Sequence, residues 1–443
     1  MATRLLAIRA FVLAACTVSP CLFAQDYDLL LKGGHVIDAK NNIDSVMDIA
    51  IKDGVIAKVD ADIPAASAVK TVVLKDEYVT PGLIDIHTHS WVDQPHMLEH
   101  GVFPDDFTFR NGVTTVVDAG SSGWRTFPEF KEHIIDHAKT RVLAMLNIVG
   151  AGMIGGEAEQ NLSDMQAEPT AAMALKYPDL IVGIKSAHFN GPEWLPYEQS
   201  VKAGTIAHVP VMIDYGARRI ERPLSELLER VLRPGDIYTH MYSGHRGEQD
   251  SQTGGPGKGM REGRARGVIF DVGNGSGSFS WAVAVPLVKA GFLPDSISTD
   301  LHVHSMNTDM KDLLNVGDKF LALGLPLKDV VADMTWHPAR EIQRPQLGNL
   351  SVGAPADVAV LSIQHGNYAL QDMYNTTFVG HDRMICDLTV RSGKVVYDLN
   401  GITGDPWDAP PGPGSRQARR WSTLGERGFG TARRTPQNKP TQP

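Results

Sequence analysis

Hydrophobic positions along this chain change rhythm twice. From residue 27 to about residue 80, apolar and polar residues alternate in short runs at 27–32, 35–38 and 48–52. The turn-forming pairs Gly33-Gly34 and Asp53-Gly54 separate these runs, a pattern that predicts hairpins. The same texture returns at 357–362 and 388–397. Two β-rich flanks (26–80 and 346–402) around a different middle predict one small β-sandwich domain built from both ends of the chain. Between 81 and 345 the rhythm is different. Short buried-type runs recur at 83–87, 113–118, 142–149, 180–185, 209–214, 236–240, 267–272 and 296–300, alternating with amphipathic stretches such as 127–139, 224–232 and 281–290. Eight βα repeats within the usual span of roughly 250 residues predict an α/β fold, a closed (β/α)8 TIM barrel, whose active groups sit at the carboxyl ends of the strands. The longer gap at 150–179 predicts an inserted loop over the barrel mouth. The segment 403–443, rich in Pro, Gly and Arg, lacks the apolar residues for a core and is expected to be a disordered tail.

Composition narrows the picture. A chain of 443 residues with 42% hydrophobic content can bury a large core, and a net charge of -9 argues against a nucleic-acid partner. In residues 1–25, Arg4 and Arg9 precede apolar runs at 10–15 and 22–24. This reads as a signal peptide cleaved after Ala24 or Gln25, too short for a membrane span, and it predicts a secreted or periplasmic protein. Leu13-Ala14-Ala15-Cys16 also resembles a lipobox that would anchor Cys16 to lipid, but Arg9 breaks the apolar region such a signal needs. Two of the three cysteines, Cys16 and Cys21, lie in this leader, so Cys386 alone remains after cleavage. That leaves no intrachain disulfide and no thiolate site, so any metal would be held by nitrogen and oxygen.

Chemistry concentrates at the predicted strand ends. The first run of the middle ends in His87 and His89, and residues two apart on a strand point to one side, so two imidazoles converge. Taken alone, this His-x-His pair is equally well read as two half-exposed strand histidines. The other runs change that, because strand four ends at Lys185, strand five at Asp214, strand six at His240 and strand eight at Asp300. Six metal-competent groups on five strand ends form a constellation, not a scatter.

In these residues the chain resembles the amidohydrolase superfamily, in the amidohydrolase/deacetylase metallohydrolase branch that includes D-aminoacylase, acetyl-mandelate esterase and dihydroorotase-like enzymes. The resemblance covers roughly residues 27–400. Its most specific pieces are Pro81-Gly-Leu-Ile-Asp-Ile-His-Thr-His89, Gly183-Ile-Lys185, Arg233-Pro-Gly-Asp-Ile-Tyr-Thr-His240, Pro294-Asp-Ser-Ile-Ser-Thr-Asp300 and residues 350–360. It implies two divalent ions per chain, zinc with manganese as the alternative. His87 and His89 would hold one ion, His240 would help hold the other, a carboxylated Lys185 would bridge both, and Asp300 would ligate the first ion and shuttle protons. The implied reaction is hydrolysis of a non-peptide C–N bond, in an N-acyl or N-acetyl compound, or of a related ester, on a small-molecule substrate. A dihydroorotase-like cyclic amidase is the alternative enzyme, at odds with an export signal. A non-catalytic periplasmic binding protein on the same scaffold is the other alternative, at odds with the presence of Lys185 and Asp300. A homo-oligomer is compatible with either.

One position departs from the family, whose fifth strand ends in histidine where this chain has Asp214. As an oxygen donor Asp214 could still ligate, but formal counting takes a two-ion site from about +1 to about neutral. A preference for harder ions or partial loss of the second ion would follow. Among other candidates, His188, His245 and Arg246 are expected to reach substrate, since a guanidinium suits a carboxylate. His302 or His304 could line the pocket, and Gly273–Gly277 is expected to shape its floor. His208, at the start of strand five, is expected to be distant from the site, and His96, His100, His133 and His137 to be helical and structural.

Overall fold

A computed structural model describes residues 25–92 and 101–407. The expected signal peptide, His96, His100 and nearly all of the expected tail lie outside the described residues. The chain divides into two units, Met1–Asn400, which carries the architecture below, and Gly401–Pro443.

The two ends of the first unit build one mixed sheet. It contains β1 (Tyr27–Asp38), β2 (Ile43–Lys52), β3 (Val55–Asp60), β4 (Ala68–Val73) and β5 (Tyr78–Pro81). The second half of the chain adds three strands whose numbers follow those of the barrel, β13 (Val358–Gln371), β14 (Thr377–Arg391) and β15 (Lys394–Asp398). The order is β15-β14-β13-β5-β1-β2-β3, with β4 on β1, and the antiparallel β5–β13 pair stitches the ends together. Asp53 and Gly54, both with positive φ, make the tight β2–β3 turn that their sequence predicts. Gly33-Gly34 does not make a turn. It lies inside β1 as a bulge, where the register with β2 shifts between Leu31 and Gly34 and Gly33 takes φ +84°. A bulge and a turn need the same positive-φ residue, so the local signature is shared.

The middle forms seven sequential parallel strands: β6 (Leu83–Thr88), β7 (Val113–Gly123), β8 (Arg141–Asn147), β9 (Ile181–Ser186), β10 (Val211–Ile213), β11 (Ile237–Tyr238) and β12 (Ile269–Phe270). The eighth run is extended backbone that pairs through single bridges, Ser296 with Asp271 after β12 and Leu301 with Thr88 of β6. Hydrogen bonds from Val272 N to Ser296 O and from His89 N to Leu301 O tie it to both neighbours and close the ring. These strands read as continuous apolar runs because both their faces are covered. Ile84, Ile86, Val117, Met145, Val182, Met212 and Ile237 meet in one cluster, the interior of the curl. Ala339 and Ile342, from the α9 region (Trp336–Glu341), plug it beside the strand starts. The other helices are α1 (Phe127–Phe130), α2 (Ala167–Lys176), α3 (Leu195–Ala207), α4 (Leu224–Glu226), α5 (Lys258–Ala265), α6 (Trp281–Lys289), α7 (Leu313–Ala322) and α8 (Leu327–Asp333). The expected helices at 127–139 and 224–232 are short α turns, Phe127–Phe130 and Leu224–Glu226, each continuing into a π-helical turn. The 150–179 gap holds 3-10 turns and α2.

Candidate active site

The strand ends converge as their sequence predicts. His87 lies in β6 and His89 just beyond it, Lys185 is the penultimate residue of β9, and Asp214 follows β10 directly. His240 stands two residues past β11, and Asp300 lies on the eighth stave. All are buried except Asp300, whose side chain is 15% exposed. Asp300 Oδ1 lies 2.9 Å from His89 Nε2 and 3.4 Å from His87 Nε2, and Lys185 Nζ is 2.8 Å from His87 Nε2. His87, His240 and Asp300 each offer a ligand atom within 4.8 Å of the others.

The imidazoles are oriented from behind. Thr239 Oγ1 donates to Asp271 Oδ2 at 2.7 Å, which leaves its lone pair to accept from His87 Nδ1 at 3.0 Å. His240 Nδ1 donates to the Gly273 carbonyl at 2.5 Å. With a proton fixed on each Nδ1, both Nε2 lone pairs face the shared point, which is how metal-binding histidines are held. Glycine is required here. A Cβ at Gly273 would stand 2.3 Å from Thr239 Oγ1, and one at Gly275 would stand 2.5 Å from Asp300 Oδ2. Backbone strain collects at the same place, since His188, His240 and Asp300 all take positive φ, which non-glycine residues keep only where packing enforces it.

The field of the site favours bound cations. Burial, seconded by the Lys185 charge, pushes the His87 imidazolium down to about 3, so the ring stays neutral and available as a donor. Burial likewise lowers the Lys185 ammonium. Burial works against ionisation of Asp300, yet the adjoining His87 and His89 hold its carboxyl well below the usual range. The neutral His87 imidazole, the Nε2 of His240, the ionised Asp300 carboxylate and the buried Lys185 amine form a donor set that fits a divalent ion.

Asp214 faces the site from the other side and is heavily engaged. Its Oδ1 accepts from Arg246 Nη2 at 2.6 Å, while Oδ2 lies 3.3 Å from His188 Nε2 and 3.6 Å from His240 Nε2. Burial opposes its charge, but Arg246 and His240 outweigh that and hold it well below the ordinary value. His188 is hydrogen-bonded to the buried Glu159 at 3.0 Å. Burial disfavours its charge, yet Glu159 and Asp214 carry it up to about 9. Arg246 is not turned towards a substrate carboxylate. Its guanidinium is committed to Asp214, the Gly216 carbonyl and Ser243 Oγ. His245 is exposed, with Nε2 3.1 Å from the Gly277 carbonyl. The His302 ring is buried 6.2 Å from that of His89, His304 is exposed, and His208 is an exposed left-handed cap at the end of α3. His133 lies in the π-helical turn after Phe130.

Sequence reading missed Asp271, Thr239 and Glu159. Asp271 and Thr239 were within reach, because they flank the ends of strands already singled out. Glu159, in the long gap, had no local signal.

No protein-family profile matches the chain. It is 33% identical over 335 residues to a deacetylase of Brucella anthropi, covering 72% of this chain and 80% of that protein. It is 30% identical over 383 residues to a deacetylase of Enterococcus faecalis, covering 84% of this chain and all of the other. Among solved structures, an adenine deaminase superposes with a TM-score of 0.77 at 30% identity, covering 84% of this chain and 100% of that one. Likeness of this extent in sequence and in fold places the chain in the amidohydrolase superfamily, as a hydrolase acting on carbon–nitrogen bonds.

Proposed function

We propose that this chain is a divalent-metal-dependent amidase that removes the acyl group, an acetyl group in the simplest case, from an N-acyl small molecule, with the related ester as a second substrate class. The observation that carries this reading is the pair of imidazoles, His87 and His240, whose Nδ1 atoms are occupied from behind and whose Nε2 atoms face Asp300. His87, His89, His240 and Asp300 would hold the ion, zinc or the harder manganese. The chemistry such an ion would supply, when bound, is polarisation of the scissile carbonyl and a lowered pKa for a water.

Lys185 supports the reading in its own way. It is buried, and its Nζ lies near His87 Nε2 and Met212 Sδ. A buried ammonium is costly, and the neutral amine is the form that adds to carbon dioxide: the N–C bond forms, a proton leaves, and an anionic oxygen donor results. Asp300 accepts the proton of the attacking water on a carboxylate oxygen and passes it to the leaving nitrogen. The names of the relatives, deacetylases, agree with the acyl assignment. The leader is proposed to export the chain, and no helix among the described residues is long and apolar enough to cross a membrane.

The test is a panel of N-acetyl amino acids and acyl esters assayed before and after chelation. Turnover that vanishes with chelator and returns with zinc or manganese is expected. Turnover indifferent to chelation rejects the reading. Intact mass of the exported protein locates its first residue, expected at 25 or 26.

A further inference from the structure

We infer that this centre takes one divalent ion, and that Arg246 supplies, as a fixed guanidinium, the positive charge that a second ion would otherwise bring to Asp214. The inference rests on the metal-dependent reading above and concerns the half of the site where the chain departs from its relatives.

Three observations carry it. First, both oxygens of Asp214 are in use, Oδ1 by Arg246 Nη2 at 2.6 Å and Oδ2 facing His188 and His240. Second, Arg246 is not a loose surface cation. It is 9% exposed, and all three of its nitrogens are committed, with Nε on the Gly216 carbonyl at 3.1 Å and Nη1 on Ser243 Oγ at 3.1 Å. Its backbone N–H is in turn held by Glu248, which also accepts from Ser243 and Tyr238. Third, among the described residues one cluster of metal-competent groups closes within 4.8 Å, and it contains His87, His240 and Asp300. His89 and Asp214 both lie outside it, but His89 adjoins it through Asp300 Oδ1 at 2.9 Å, whereas Asp214 is turned to Arg246.

The physical logic follows from charge. A guanidinium forks onto a carboxylate, and it cannot lose its proton to make room for a metal. A divalent ion on Asp214 would have to displace Arg246 from a buried pair or stand beside it, and like charges in a low-dielectric pocket repel strongly. The aspartate and the arginine therefore belong together. An imidazole at position 214, as in the family, would give Arg246 no anion to meet. His188, backed by Glu159, closes the remaining side of Asp214.

The experiment is metal content per chain on the full protein, expressed with added zinc and dialysed without chelator, read by elemental analysis and by mass spectrometry of the folded protein. The natural sequence is expected to hold about one ion per chain. Asp214→His alone stays near one, because Arg246 remains, whereas Asp214→His combined with Arg246→Met rises to about two. Two ions in the natural sequence overturn the inference and leave the amidase reading standing. No ion in the natural sequence overturns both. A folded double variant, judged by a cooperative melt, that stays at one ion overturns the role given to Arg246. The natural sequence decides the stoichiometry by itself should the double variant fail to fold.

Discussion

Thr239 offers a sharp test of how the site is assembled. It is fully buried, and its hydroxyl bridges Asp271 Oδ2, 2.7 Å away, and His87 Nδ1, 3.0 Å away, two atoms that themselves stand 3.9 Å apart. Thr239→Val keeps the shape and removes that hydroxyl. Asp271 retains the hydroxyls of Ser296 and Ser298 at 2.9 and 2.7 Å, so the larger injury falls on His87, whose Nδ1–H loses its acceptor. Leaving one buried donor unsatisfied costs about 1–3 kcal/mol. The ring can also avoid that cost by moving its proton to Nε2, and then the lone pair facing the site is lost. Removing such an orienting partner weakens metal binding by about 10–100-fold, or about 1.4–2.8 kcal/mol. The assay is competition for zinc between the protein and a chromophoric chelator, on the natural protein, Thr239→Val and Thr239→Ser. Serine keeps the hydroxyl and is expected to stay within about 3-fold of the natural protein, while valine falls into the 10–100-fold range. Valine within about 2-fold of the natural protein, with an intact melt, would refute the claim that Asp271 and Thr239 set the His87 tautomer.

Three further outcomes are expected. Arg222, fully buried, donates to the carbonyls of Phe189, Gly191, Tyr215 and Ala217 and to Tyr197 Oη, pinning the loops after β9 and β10. Arg222→Met should cost about 3–5 kcal/mol and lower Tm by about 4–6 °C, with Arg222→Lys restoring less than half, and a scanning melt checks both. At Gly275, with φ +56°, a Cβ would press on Asp300 Oδ2, so Gly275→Ala should lower kcat/KM on an N-acetyl substrate at least about 10-fold, whereas Gly277→Ala, in open space, should not change it. Burial pushes the Asp318 carboxyl up to about 8. Its ionisation therefore penalises the folded state, with no effect below the unfolded value near pH 4, a growing loss as pH rises, and the full loss above about pH 8. Asp318→Asn should accordingly raise Tm at pH 9 more than at pH 5, and equal shifts at both would show that the carboxyl is not buried in its ionised form.

The barrel was legible because its signal is local. A short apolar run closed by a charged or imidazole residue names both a strand and its carboxyl end, and the end residues His87, Lys185, Asp214 and His240 were located even though β10–β12 are only two or three residues long. Gly33-Gly34 was misread because a bulge and a turn are told apart only by the strand opposite. The support of the site was not legible for a related reason. Asp271 reaches His87 through Thr239, and Asp214 meets Arg246 across 32 positions of sequence and Glu159 through His188, none of which a window of neighbouring residues contains. This bears on Asp214, where the family resemblance leads one to expect a histidine. Seen alone, an aspartate in place of a histidine reads as a change of metal ligand. Seen with its partners, it is one member of a set in which Arg246 and His188 balance its charge and the buried Glu159 holds His188 in place. Removing Asp214 or Arg246 alone strands its buried partner's charge at a cost of about 3–5 kcal/mol. Asp214 and Arg246 are therefore expected to couple strongly in a double-mutant cycle, and simple additivity of their single replacements in stability and in metal content would show them to be independent neighbours.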